Sequence, residues 1–142
     1  MSQWFKSTLR HKFKMNKKVI DFVNRLKNSS LLKAKEIVLC YSELILEYTD
    51  CLYREGFVQS YELFDVQDKK YIRIILRLES GVCLTSKIKV VSSLTKKKYI
   101  SSKGISISSI KGKEVFLSTS KGVMSLSECK KHNIGGLVVF VC

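Results

Sequence analysis

The chain has 142 residues, the size of one ordinary domain or two small packed lobes, and 45% of them are hydrophobic, enough for a core that needs no staple. Lys and Arg number 26 against 12 Asp and Glu, a formal net charge of +14, so the folded chain repels itself unless a polyanion neutralises it. No uncharged run approaches the ~18 apolar residues of a membrane span, which sets transmembrane insertion aside and makes nucleic acid the first partner to consider.

The five cysteines are Cys40, Cys51, Cys83, Cys129 and Cys142. Their odd number and the lack of a C-x-x-C pair suggest neither a zinc site nor a disulfide framework. They read as small buried apolar side chains in a reducing compartment.

Residues 1–18 contain no acid and interleave Lys6, Arg10, Lys12, Lys14, Lys17 and Lys18 with Trp4, Phe5 and Phe13. Two readings fit: a mitochondrial transit peptide, or a basic arm that folds against RNA phosphates. The arm is the expectation for residues 1–16. Over 17–32, Val19, Phe22, Val23 and Leu26 recur at helical spacing opposite Lys18, Asp21, Arg25 and Asn28, which predicts an amphipathic helix. A short strand over 35–40 precedes a second helix from Ser42, with Leu44, Tyr48, Cys51 and Leu52 toward the core and Gly56 placed to end it. Glu43, Glu47, Asp50 and Glu55 make that helix acidic, so it should face away from a polyanion; Glu43 and Glu47 are candidates for contact with neighbouring proteins. Residues 57–64 and 71–78 are β-rich and flank a hairpin loop over 65–70.

After Ser80 and Gly81 the composition changes, with Glu114 and Glu128 the only remaining acids. A second lobe is expected over 81–142, following a first over 17–80. Strands are predicted at 82–91, 105–110, 114–117 and 137–141, and one short helix at 127–132. Ser125-Leu126-Ser127-Glu128 has the S-x-x-E spacing in which a serine hydroxyl caps the helix start. The fold class is therefore α+β: a helix-strand-helix-strand-strand lobe followed by a mostly β lobe.

Catalysis is poorly supported. His11 and His132 lie among basic residues rather than beside carboxylates, and acid-base chemistry needs such groups held together in a pocket. Gly135-Gly136 precedes no helix that would bind an anion at its N-terminus. No cofactor, metal or small-molecule substrate is implied. The informative stretch is Leu117-Ser118-Thr119-Ser120-Lys121-Gly122-Val123-Met124. Three hydroxyl residues and then Lys-Gly place small donors and acceptors at one loop, which suits base edges, 2′-hydroxyls and phosphates of an irregular RNA. An ordinary turn leading to the Ser125-capped helix fits the same spacing equally well.

That stretch, the helix ending Lys130-Lys131-His132 and the following Asn133-Ile134-Gly135-Gly136 together resemble the C-terminal signature of the small-subunit ribosomal protein eight family. Upstream, Ile20-Asp21-Phe22-Val23-Asn24-Arg25-Leu26-Lys27-Asn28 is similar to the family's first helix. Cys40-Tyr41-Ser42 through Glu55-Gly56-Phe57-Val58 is similar to its second helix and the strand after it. The resemblance spans residues 17–142. It implies a non-enzymatic, structural ribosomal protein that binds a helix of the central domain of small-subunit ribosomal RNA, supports assembly, and touches neighbouring small-subunit proteins, with no membrane role.

The resemblance also implies a contact set. Ser118, Thr119, Ser120, Lys121 and Gly122 would reach the internal loop of the RNA helix. Arg25, Asn28 and Lys33 would lie along the adjacent backbone with Lys89, and Lys97 and Tyr99 match a basic residue and a tyrosine of the family. Departures occur at Ser92-Ser93-Leu94-Thr95-Lys96-Lys97-Lys98-Tyr99, which replaces a Ser-Lys-Pro-Gly turn, and at Lys111-Gly112-Lys113, which replaces Gly-Leu-Gly. Leu137 stands where the family has an acid. The absence of Pro, the abundance of Lys, Ile and Ser, and the eroded motifs point to a divergent organelle, mitochondria ahead of plastids. The competing function is a free-standing basic regulator that binds RNA.

Overall fold

The computed structural model describes residues 17–92, 98–101 and 114–142. The basic segment 1–16, Lys97 and the strand expected at 105–110 lie outside the described residues. The described chain divides into two compact units, Lys18–Lys89 and Val90–Val141. The class is α+β, with three helices among the described residues and antiparallel strands throughout. No helix among them is long and apolar enough to cross a membrane.

In the first unit, α1 (Lys17–Leu31) buries Val19, Phe22, Val23 and Leu26, the i, i+3, i+4, i+7 stripe that its sequence spells. Strand β1 (Glu36–Cys40) follows, then α2 (Glu43–Arg54), β2 (Val58–Val66) and β3 (Lys69–Leu76). The sheet order is β1-β3-β2. Ile37 and Leu39 of β1 alternate with exposed neighbours, and Ile72, Ile74 and Leu76 are buried on β3, the two-residue period of a sheet with one covered face. α2 packs along β2 and buries Ile45, Tyr48, Cys51 and Leu52. Ile45 thus takes the core place expected of Leu44, which is half-buried. The Phe22 ring lies 6.4 Å from that of Tyr48.

Two expectations are corrected here. The loop at 65–70 is far tighter: β2 runs to Val66, β3 starts at Lys69, and Gln67 and Asp68 alone make the turn with φ of 51° and 66°. Two consecutive left-handed residues match the right-handed strand twist, so the strands zip to the end. The continuous strand expected at 82–91 is broken. β4 (Leu78–Glu79) and β5 (Val82–Cys83) form a second tight hairpin, and Leu84–Lys87 is a 3-10 turn before β6 (Lys89–Val90). The buried hydroxyls of Ser30 and Thr85 bond to each other and tie that turn to α1.

The second unit contains β7 (Lys98–Ile100), β8 (Val115–Thr119), β9 (Gly122–Ser125), α3 (Leu126–His132) and β10 (Gly136–Val141). β10 is central: β8 pairs along one side, and β6 and β7 share the other. A register shift between Val138 and Phe140 turns both Val138 and Val141 to the side where Val115, Leu117, Leu126 and Cys129 form the core. Phe116 and Phe140 stack with centroids 4.8 Å apart.

The three described helices close alike, with a left-handed residue and a bond from the next N–H back five residues. Lys33 (φ 57°), Gly56 (φ 82°) and Asn133 (φ 55°) hold these positions, followed by Ala34 N to Ser29 O, Phe57 N to Leu52 O and Ile134 N to Cys129 O. Glycine and asparagine are the usual occupants because they tolerate that backbone; Lys33 is not, so its place is set by the closing bonds.

Candidate nucleic-acid interface

The hydroxyl stretch forms the tip of the β8–β9 hairpin. Ser118 pairs with Val123 and Thr119 with Gly122, which leaves Ser120 and Lys121 as a two-residue turn. Thr119 builds it: its Oγ1 donates to Gly122 O at 2.7 Å and accepts from Lys121 N at 3.2 Å. Gly122 supplies the φ of 111° with which the chain enters β9, a value side chains rarely adopt.

The side chains at this tip are not equivalent. Ser120 and Lys121 are exposed, whereas Ser118 is 3% and Thr119 0% exposed. The expectation that all three hydroxyls stand on the surface is therefore corrected. The rest of the fold covers the first two, and only the turn itself projects.

The tip is held from behind by β10. A Cβ on Gly136 would stand 2.5 Å from Ser118 O and 3.0 Å from Thr119 Cγ2, so only glycine lets the strands approach this closely. Leu137 is fully buried and registers with Ser118 on one side and Tyr99 on the other. A carboxylate in that place would be desolvated, so leucine suits its surroundings. Tyr99 is 58% exposed and Lys98 beside it is exposed. One sheet thus carries Tyr99 and the hairpin on opposite sides of β10.

The altered segment between β6 and β7 reveals a residue that sequence reasoning missed. The buried Ser92 hydroxyl donates to Val138 O and accepts from Lys98 N at 3.0 Å. It ties both ends of that segment to β10. The sequence carried only a Ser-Ser pair as a signal.

α3 follows the hairpin directly. Ser125 caps it as expected, its Oγ accepting from Glu128 N at 3.3 Å, and Lys130, Lys131 and His132 occupy the last turn, where cations suit the helix dipole. The remaining expected contacts belong to the other unit. Arg25 and Asn28, three apart on α1, are both exposed, and Arg25 also donates to Val38 O at 3.4 Å. Lys33 and Lys89 are exposed as well.

These units define a small α+β protein whose polar features sit on a hairpin tip and on helix and strand surfaces. Residues 17–142 match the family model described as ribosomal protein S8, and the chain belongs to that family, which consists of structural, non-enzymatic ribosome components. It is similar to the "Small ribosomal subunit protein uS8c" of Euglena gracilis, 34% identical over 132 residues that cover 86% of this chain and 94% of that one. The "Small ribosomal subunit protein uS8" of Bartonella henselae is 33% identical over 118 residues, 82% and 89% of the two chains. That of Campylobacter hominis is 29% identical over 126 residues, 88% and 96%.

Proposed function

We propose that this chain is a structural constituent of the small ribosomal subunit of an organelle, where it binds the central domain of small-subunit ribosomal RNA and supports assembly. The observation that carries the reading is the Ser120-Lys121 tip: an exposed hydroxyl and an exposed cation on a turn whose shape Thr119 holds from within. A short, rigid polar tip can enter an irregular RNA groove and discriminate its shape at close range. In this reading Ser120, Lys121 and the turn backbone touch RNA, while Ser118, Thr119 and Gly122 position them. Tyr99 offers a ring for stacking, and Lys97, Lys89, Lys33, Asn28 and Arg25 lie along phosphates. The C-terminal lobe then provides most of the affinity.

The near-complete cover of relatives named for the small subunit supports this role over that of a free regulator. Sedimentation tests it. The chain is expected at equal stoichiometry with the small subunit through moderate salt; recovery mostly as unbound protein would favour the regulator. Composition is the ground for mitochondria, and the uS8c designation of the Euglena relative supports plastids as the alternative. Small subunits purified separately from the two organelles decide between them.

A further inference from the structure

The positive charge of this chain is unevenly spread. Residues 18–89 hold 12 of the 26 Lys and Arg but 10 of the 12 Asp and Glu. Within them, the stretch 36–68, which forms β1, α2 and β2, has eight acids and one base, Arg54, a net charge of −7. Arg54 is already engaged, its Nε 3.2 Å from Asp50. On β3, Arg73 bonds Glu62 and lies 3.7 Å from Glu36, and Lys70 registers opposite Asp65, yet the whole stretch 36–76 still holds eight acids against four bases, a net charge of −4. Such a stretch repels a polyanion.

The same stretch contains an open strand edge. With the order β1-β3-β2, the outer strands are β1 and β2. β1 is five residues long, and its Val38 carbonyl accepts from the Arg25 guanidinium. β2 is nine residues long, and among the described residues β3 is the only strand paired with it. Leu63 and Val66 on β2 are 49% and 48% exposed. Tyr53 of α2, whose ring meets Tyr61 of β2 edge-on at 5.7 Å, is 48% exposed. A long edge strand with uncovered apolar side chains is a template for an incoming strand: main-chain bonds supply affinity and alternate side chains supply selectivity.

We infer that the β2 edge is a docking site for an extended, Lys- and Arg-rich segment of a neighbouring protein, which adds as a strand beside β2 in the assembled subunit. Charge complementarity selects this occupant. Its cations meet Asp65 and Asp68, and its apolar side chains cover Leu63 and Tyr53. Nucleic acid is disfavoured by the acids, and a second copy of this chain would set the −7 stretch against itself, like charges opposing like. The inference rests on the ribosomal reading above but not on the hairpin contacts.

A photoreactive benzoylphenylalanine at Leu63 of the full chain, irradiated in assembled small subunits, provides the test. The expected product is a crosslink to a protein segment rich in Lys and Arg. Asp65→Lys with Asp68→Lys should cut its yield about fivefold while incorporation into subunits is unchanged, the size expected for two exposed charge pairs. Asp65→Asn with Asp68→Asn, a milder pair, should give a smaller loss in the same direction. A crosslink to RNA, to another copy or to a segment without net positive charge overturns the inference. So does the absence of any crosslink from chains that sediment with the subunit, or a yield indifferent to the charge changes. If the chain does not sediment with the small subunit at all, both the inference and the functional reading fall.

Discussion

A Cβ placed on Gly136 would stand 2.5 Å from the carbonyl oxygen of Ser118, closer than such atoms approach in folded proteins. This contact sets how near β10 lies to the hairpin tip. Gly136→Ala must push two backbones apart rather than move a flexible side chain, so it should destabilise the chain by about 1–3 kcal/mol. Urea unfolding measures this, and a midpoint equal to that of the unchanged chain would show that the strands separate freely.

Thr119 and Ser120 are neighbours with opposite roles. Thr119→Val keeps the shape but strands Gly122 O and Lys121 N, so it should cost roughly 1–3 kcal/mol of stability. Ser120→Ala removes an exposed hydroxyl and should stay within about 0.5 kcal/mol. Its effect should appear in competition between the cognate RNA helix and a random duplex, where one lost hydrogen bond costs on the order of 1 kcal/mol of preference. Unchanged discrimination by Ser120→Ala would reduce the tip to an ordinary turn.

Lys121 is the one cation of the two-residue hairpin turn. Lys121→Ala should weaken binding to all RNAs alike and lower the slope of log affinity against log salt by about 0.9 or less, the effect of one phosphate contact. Charge reversal at Lys96, Lys97 and Lys98 should flatten the slope further. A slope insensitive to all four changes would place the phosphate contacts elsewhere.

Burial pushes the Cys129 thiol up to about 11, with the Glu128 charge adding to it, and pushes the Cys142 thiol up to about 12. Tyr61 is raised as well, by burial and then by its bond to Asp50. Each folded-state value lies above the unfolded one. The stability these groups contribute is therefore complete below about pH 9 and is lost as pH climbs toward 12. Urea midpoints should accordingly fall above about pH 9, and Cys129→Ala should soften that fall. Cys40 is exposed while Cys51, Cys83, Cys129 and Cys142 are buried. A disulfide reagent at about pH 8 should thus titrate one thiol in the native chain and five after denaturation; several fast native thiols would contradict the burial.

Features whose causes lie close together along the chain are legible in the sequence by itself. The apolar stripe of α1, the Gly56 stop and the Ser125 cap each depend on residues within a turn or two, and each stands where expected. The family resemblance over 17–142 is readable for the same reason, since its motifs are contiguous words. The tight Gln67-Asp68 turn is not, because neither residue demands a left-handed backbone; eight paired positions along β2 and β3 impose it.

Only the tertiary structure decided which hydroxyls of the candidate site face outward. Ser118 and Thr119 are buried in the folded chain, Thr119 against Gly136 and bonded back onto Gly122, which a local stretch of serines and threonines does not reveal. The clamp by Ser92 is likewise non-local: its hydroxyl reaches Val138, 46 residues away. A sequence encodes helix periods, caps and turns through near neighbours. The exposure of a polar side chain depends on what the rest of the chain lays across it.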